Sequence, residues 1–489
     1  MHTLALLSFF ILADPGHAHH DHGTNAGKAH IETSCSEAAQ KEVDRGLAMM
    51  HSFWYAPAEK VFRGAAELDA DCKMAWWGAA MANLHPIWAP PTPKELERGK
   101  EAAEKAAGAK TEREQAYIAA ISAYFTSSEE HPARMRAYES AMAKLAADYP
   151  KDREAQIFHA LSLLGIASPK DKTYAKQKEA AAILNRILPE EPEHPGIAHY
   201  LIHSFDYPDL AELALPAARV YAKLAPASPH AAHMPSHIFT RLGLWDESIA
   251  SNLDSAAKAR AHAPAGTTAF DELHAVDYLV YAYLQEGKVA EAKKLVDKVN
   301  AVTKVDNPDQ FAAAHAISAA PARYALERRE WKEAAALTVP ALINWSKVPY
   351  AEANIHFARG IGAARSNQLD VARDALARLA AIQKTLVEQK NAEWADRVEI
   401  QRLSVGAWIA RAENKNDDAL QLMRASAELE SSTEKHPVTP GALIPARELL
   451  SEMLLDAGKR DDALAEAKRV LHDAPNRRNA MALSARAEK

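Results

Sequence analysis

The chain has 489 residues, 48% hydrophobic and 25% charged, with 18 Gly, 26 Pro and 2 Cys. Abundant alanine, scarce glycine and few aromatics exclude a β-sandwich or a glycine-rich α/β enzyme and fit a soluble globular chain with a large core. The 58 basic and 65 acidic residues leave a net charge of −7, which argues against a nucleic-acid partner.

Leu4 to Ala13 (LALLSFFILA) is a ten-residue apolar run, too short to span a bilayer. Gly16-His17-Ala18 behind it puts small residues where a signal peptidase reads. The expectation is an export signal over 1–18 and a periplasmic or secreted protein. Met1-His2-Thr3 carries no Lys or Arg, so a frayed apolar N-terminus is the alternative. No other stretch approaches 18 apolar residues, and no transmembrane helix is expected.

Residues 19–34 hold His19, His20, His22 and His30 and read as a disordered, histidine-rich tail that scavenges metal. Cleavage after Ala18 would also pair the α-amine of His19 with its own imidazole, a copper brace as the rarer alternative. Cys35 and Cys72 stand 37 residues apart, each just before a predicted helix. Equivalent helix starts in adjacent repeats lie close, so a disulfide is expected, with two buried thiols as the alternative.

From residue 35 onward the chain repeats itself. LLDAGKRDDALAEAKRVLHDAPN places Gly458, Ala463 and Ala467 at the offsets that Gly287, Ala292 and Val296 occupy in YLQEGKVAEAKKLVDKV. LGLWDESIASNL offers Gly243, Ser248 and Asn252, and RREWKEAAAL offers Arg329, Ala334 and Thr338. Each motif joins two apolar helical runs, with small residues where helices approach closely. Further units read near 36–70, 72–107, 111–148, 152–190, 194–227, 395–432 and 440–475. Pro150, Pro189, Pro226, Pro308 and Pro475 fall between the runs, where they break nothing.

These motifs resemble the tetratricopeptide repeat (TPR), a helix–turn–helix unit. The resemblance implies an all-α, right-handed superhelical solenoid of about eleven hairpins. It divides into repeats over 35–190, central repeats over 191–305 and repeats over 306–489. CSEAAQKEVDRGLAMMHSFWYAPAEKVF, DADCKMAWWGAAMANLHPIWAPP, HPGIAHYLIHSF and HMPSHIFTRLGLWDESIASN further resemble a group of exported bacterial TPR proteins. That resemblance implies architecture and compartment rather than an activity.

Histidine carries the functional signal. Six of the 22 (His194, His199, His203, His230, His233 and His237) fall between 194 and 237. His199 and His203 are four apart, as are His233 and His237, so each pair shares one helix face, where two imidazoles can grip one metal ion. The pairs are 34 residues apart, the repeat length itself, which sets them on adjacent helices. Counting back from Gly243 and Gly287 adds His230, His274, Asp277 and Tyr281 at the offsets that face the concave groove in TPR proteins.

The expected site is therefore a groove patch of His199, His203, His230, His233, His237 and His274. Asp277 would serve as an oxygen ligand or as a carboxylate orienting an imidazole. Imidazoles with a carboxylate suit copper, zinc or iron. The alternative is a periplasmic scaffold whose histidines lend polarity to a protein- or peptide-binding groove. Pro235 leaves two helix starts open: Pro229, capped by Ser228 and kinked at Pro235, or Pro235 itself.

Other residues are weaker candidates. Glu272 is a general base beside a metal-bound water or a helix-start acid. His159 and His315 would extend the patch. Arg241 and Asp206 would hold an anion or pair at the surface. Trp54, Trp76 and Trp77 read as core, and Trp88 as a loop residue. No Walker loop, Rossmann glycine pattern, GxSxG or HExxH is present, so no catalytic residues are assigned; an enzyme here would be a metal-dependent one using the groove histidines.

Overall fold

The computed structural model describes residues 25–87, 90–307 and 311–489. The predicted export signal, His17, His19, His20, His22 and Trp88 lie outside them. Among the described residues the chain folds into 24 helices; with Pro229–His233 and Pro235–Arg241 taken as one interrupted helix, they pair into eleven hairpins and a terminal helix, Arg478–Ala487. It is an all-α helical solenoid.

One local device builds seven of the eleven hairpins. The residue between the paired helices is left-handed: Gly243, Gly287 and Gly458 have φ of 65°, 72° and 74°. The same geometry recurs without glycine at Phe53, Arg329, Asn367 and Asn414, with φ of 52°, 59°, 60° and 63°. Five residues beyond each of these seven positions stands a small residue (Ala58, Ser248, Ala292, Ala334, Ala372, Ala419 and Ala463) that is fully buried. The left-handed residue turns the chain, and the small side chain lets the two helices close on each other.

The eighth hairpin keeps this turn at Arg329 but is cut short after it. Its second helix is only Trp331–Ala335, followed by irregular chain to Val348. Pro340 disfavours helical backbone at Val339 and lacks the N–H a longer helix would need.

Cys35 and Cys72 are joined in a disulfide, with Cα atoms 4.6 Å apart. Residues 25–34 are not a loose tail. Ala26 and Ile31 are buried, Gln40 donates to the Ile31 carbonyl at 2.8 Å, and His30 meets Asp44 at 2.7 Å. Two well-placed apolar side chains suffice to dock a segment whose overall composition looks unable to pack. The first apolar core runs as one cluster from Ala26 to Phe239, so packing continues across residue 190.

The solenoid closes on itself. Trp245 donates to the Asn476 carbonyl at 3.2 Å, and a Cβ on Gly243 would lie 2.2 Å from the Pro475 carbonyl. Arg477, fully buried, pairs with Glu327 and Glu448 and donates to the Tyr281 hydroxyl. Segment 433–445 reaches back as well: Lys435 binds Asp206 at 2.7 Å, and the Thr439 carbonyl accepts from Tyr278 at 3.1 Å. Closure places chain over the inner face of the central hairpins, where the histidines stand.

Candidate metal centre

Two buried histidine triads lie side by side at this closure. The first joins His199 and His203, on helix Pro195–Phe205, to His230 on helix Pro229–His233. Both helices begin with proline, whose missing N–H is an orphan at that position anyway. The His199 Nδ1–H donates to the His51 carbonyl at 2.7 Å, which leaves its Nε2 as a lone pair. That Nε2 lies 3.1 Å from Nε2 of His203 and 3.2 Å from Nε2 of His230.

Phe53 covers this triad, its ring centroid 4.3 Å from that of His199, 5.6 Å from His203 and 5.5 Å from His230. Phenylalanine is costly in left-handed backbone, where Gly243 and Gly287 stand in their own hairpins. Only the tertiary contact explains the residue chosen there.

The second triad is His233, His237 and His274. Its helix starts at Pro229 with the Ser228 hydroxyl accepting from Ala231, and is interrupted at Met234 before resuming at Pro235. The first of the two starts open in the sequence is thus the one adopted, with a break at the proline. Met234 keeps helical dihedrals and its N–H bonds the His230 carbonyl at 2.9 Å, so His233 and His237 still meet. Their Nε2 atoms are 3.0 Å apart.

Hydrogen bonding fixes both tautomers. The Asn252 amide donates to the Ser248 carbonyl at 2.8 Å, so its oxygen accepts from Nδ1–H of His233 at 2.6 Å. Nδ1–H of His237 donates to Asp206 at 2.9 Å. Tyr278, 3.2 Å from Nε2 of His237, gives its own proton to Thr439. Two neutral imidazoles therefore aim lone pairs at each other with no proton between them.

Electrostatics keeps them neutral. Burial pushes the imidazolium pKa of His199 down to about 3, and those of His203, His230, His233 and His274 well below the ordinary value. Burial also lowers that of His237, against the opposing pull of Asp206. For the Asp206 carboxyl burial acts upward, but Lys435, Arg241 and His237 hold it well below the usual carboxylate range.

All six predicted histidines enter the triads, yet not as an open groove patch. His199, the most enclosed, has no exposed surface, and Phe53 and segment 433–445 fill the face a TPR groove would offer. Asp277 does not join them; it faces His315 at 3.1 Å and Arg323 at 3.7 Å. Glu272 is held by Arg260 and Lys298, which fits the helix-start acid and not a free base. His159 sits by Glu139, 3.7 Å away, so neither it nor His315 extends a triad. Tyr281 supports Arg477. Arg241 and Asp206, expected as a surface pair or an anion site, are a pair in which the buried Asp206 carboxylate is held by a partly buried Arg241 and orients His237. Asn252, the His51 carbonyl and Phe53 are the residues the sequence reading missed. The signal for Phe53 was a bulky residue at a turn offset that elsewhere holds glycine.

His194 belongs to a third cluster with His51 and Glu154. Here protons complete the contacts to Glu154, while Nδ1 of His194 is left without a hydrogen-bond partner. Tyr200 donates to Nδ1 of His51 at 2.9 Å, and Nε2–H of His51 and of His194 donate to the two Glu154 oxygens at 2.9 and 2.8 Å. Burial works against the Glu154 carboxylate, but the two imidazoles bring its pKa down to about 2.

No family model matches the chain, and no curated protein sequence matches it. Among solved structures it is similar to the Cut9–Hcn1 hetero-tetramer of the APC/C, with 13% identity, 92% of this chain and 76% of that one covered, and a TM-score of 0.38. It is also similar to yeast Tom70, with 12% identity, coverage of 92% and 95%, and a TM-score of 0.36. The P58(IPK) TPR domain aligns with 11% identity, coverage of 92% and 97%, and a TM-score of 0.21. These loose superpositions add nothing to the repeat geometry described above. Seven turns and seven buried small residues make the chain a TPR-like repeat scaffold, a fold suited to presenting surface to partners, and one that here encloses histidine triads.

Proposed function

We propose that this chain is an exported TPR-like solenoid that holds a transition metal through its buried histidine triads, for metal handling or a metal-dependent activity. The observation that carries the reading is the 3.0 Å approach of Nε2 of His233 and His237, whose Nδ1 hydrogens are both committed to acceptors. Two lone pairs at that distance repel unless a cation sits between them. Three nitrogens each about 2 Å from one tetrahedral ion stand roughly 3.3 Å apart, close to the 3.1 and 3.2 Å from His199 to its two partners and the 3.0 Å between His233 and His237. Asp206, Asn252 and the His51 carbonyl are the outer partners that metal-bound imidazoles require.

Copper, zinc and iron all suit imidazole. Export is supported by the leader pattern together with the Cys35–Cys72 disulfide, which suits an oxidising compartment. Protein or peptide binding, the other reading of the scaffold, has to use a surface other than the one over the triads. Metal analysis of the full chain beside His233→Asn/His237→Asn tests the proposal. The wild type retains more metal than the variant after dialysis against a weak chelator; equal retention overturns it.

A further inference from the structure

The two triads touch. Within them, ring centroids are 4.8 and 5.0 Å apart for His199 with His203 and His230, and 4.9 and 6.4 Å for His237 with His233 and His274. Between them, His203 lies 6.2 Å from His237 and His230 lies 6.2 Å from His233. Cross-triad neighbours are thus as close as some partners inside one triad, and the six rings form one cluster.

The cluster is also short of negative charge. Neither nearby carboxylate enters it: Asp206 turns to His237, Lys435 and Arg241, and Asp277 to His315 and Arg323. Burying cations among neutral donors is costly, so a cage of imidazoles favours an anionic ligand carried in with the metal. Copper(II) tops the affinity order among the divalent metals that bind imidazole. Three ligands also leave each ion a vacant position, as sites that take an outside ligand do.

A cavity lies beside the cluster. Arg241, Tyr281, His315, Lys435 and Thr439 line a cavity of about 590 Å³. Lys435 touches Asp206 and Thr439 accepts from Tyr278, so the cavity reaches the shell of the second triad.

Resting on the metal reading above, we infer that the six histidines hold a pair of copper ions close enough to share one small bridging ligand, hydroxide or another of one or two atoms. The test loads the full chain, His203→Asn and His237→Asn with copper(II), removes loose metal, and compares total copper with the spin count by electron paramagnetic resonance. Two ions bridged by hydroxide couple their spins, so the wild type holds two copper ions that the spin count misses. Each variant loses one of them and leaves the other visible. Copper on the histidine-rich N-terminus is visible in all three proteins and cancels.

A wild type in which all copper is visible, with less copper in the variants, overturns the pair while the metal reading stands. So does one ion lost in full by either variant. Preferential retention of zinc from an equimolar mixture overturns the choice of copper. Equal copper in all three proteins removes both readings. The wild-type deficit decides alone if a variant fails to fold, as judged by its metal-free circular dichroism melt.

Discussion

The His51–Glu154–His194 cluster and the paired triads are neighbours of similar burial, and they solve the same problem differently. Each sets imidazoles in a dry interior, where every polar nitrogen needs a partner. In the first, a carboxylate stands between two rings and accepts a hydrogen bond from each Nε2–H, so the lone pairs of the rings do not face one another. In the second, outer acceptors take the Nδ1 hydrogens and turn the remaining lone pairs inward. A histidine cluster becomes a candidate metal centre when its hydrogen bonds point outward, and count and spacing alone do not make that distinction.

Substitutions that act on one cluster and spare the other sharpen the contrast. Glu154→Ala strands two buried N–H donors and costs roughly 2–5 kcal/mol in denaturant unfolding, equally with and without metal. A loss seen only in the metal-loaded protein would place the ion in the wrong cluster. Reduction and alkylation of Cys35 and Cys72 opens a loop of 37 residues and lowers stability by about 3–4 kcal/mol. Metal retention stays unchanged, because the disulfide lies away from the triads; a parallel loss of metal would couple the two regions.

Acid separates them too. The Glu154 pKa is about 2 when folded against an ordinary 4.5, so its contribution is complete above 4.5 and is lost as pH falls from there toward 2. That contribution is about 3 kcal/mol. Glu154→Gln should flatten the stability profile between these values, and an unchanged profile would dismiss the cluster as its source. The smallest effect concerns Asn252→Ala, which frees the His233 tautomer and weakens metal retention 10–100-fold in a chelator competition. Unaltered retention would show that His233 needs no orientation.

Much of this was legible in the sequence. The turn offsets of Gly243, Gly287 and Gly458 located the hairpins, since left-handed turns and buried small residues are local demands. The 34-residue interval between the two histidine pairs located the histidine cluster, because position within a repeat fixes the helix face. Position in the repeat also misled: the same offset count put Asp277 with the ligands, although Arg323 and His315 draw its carboxylate away.

Other features depend on contacts between distant residues. Glu154 meets His51 across about a hundred positions, Lys435 meets Asp206 across more than two hundred, and Phe53 lies over His199 from the first hairpin. No local pattern encodes them. The sequence by itself determined the helices, their period and which side chains share a face, because those follow from backbone geometry repeated along the chain. The tertiary structure alone decided that the groove face is closed, which acceptor orients each imidazole, and which histidines are left facing one another. Those depend on where the solenoid, bending through eleven hairpins, brings its C-terminal part back against the central hairpins.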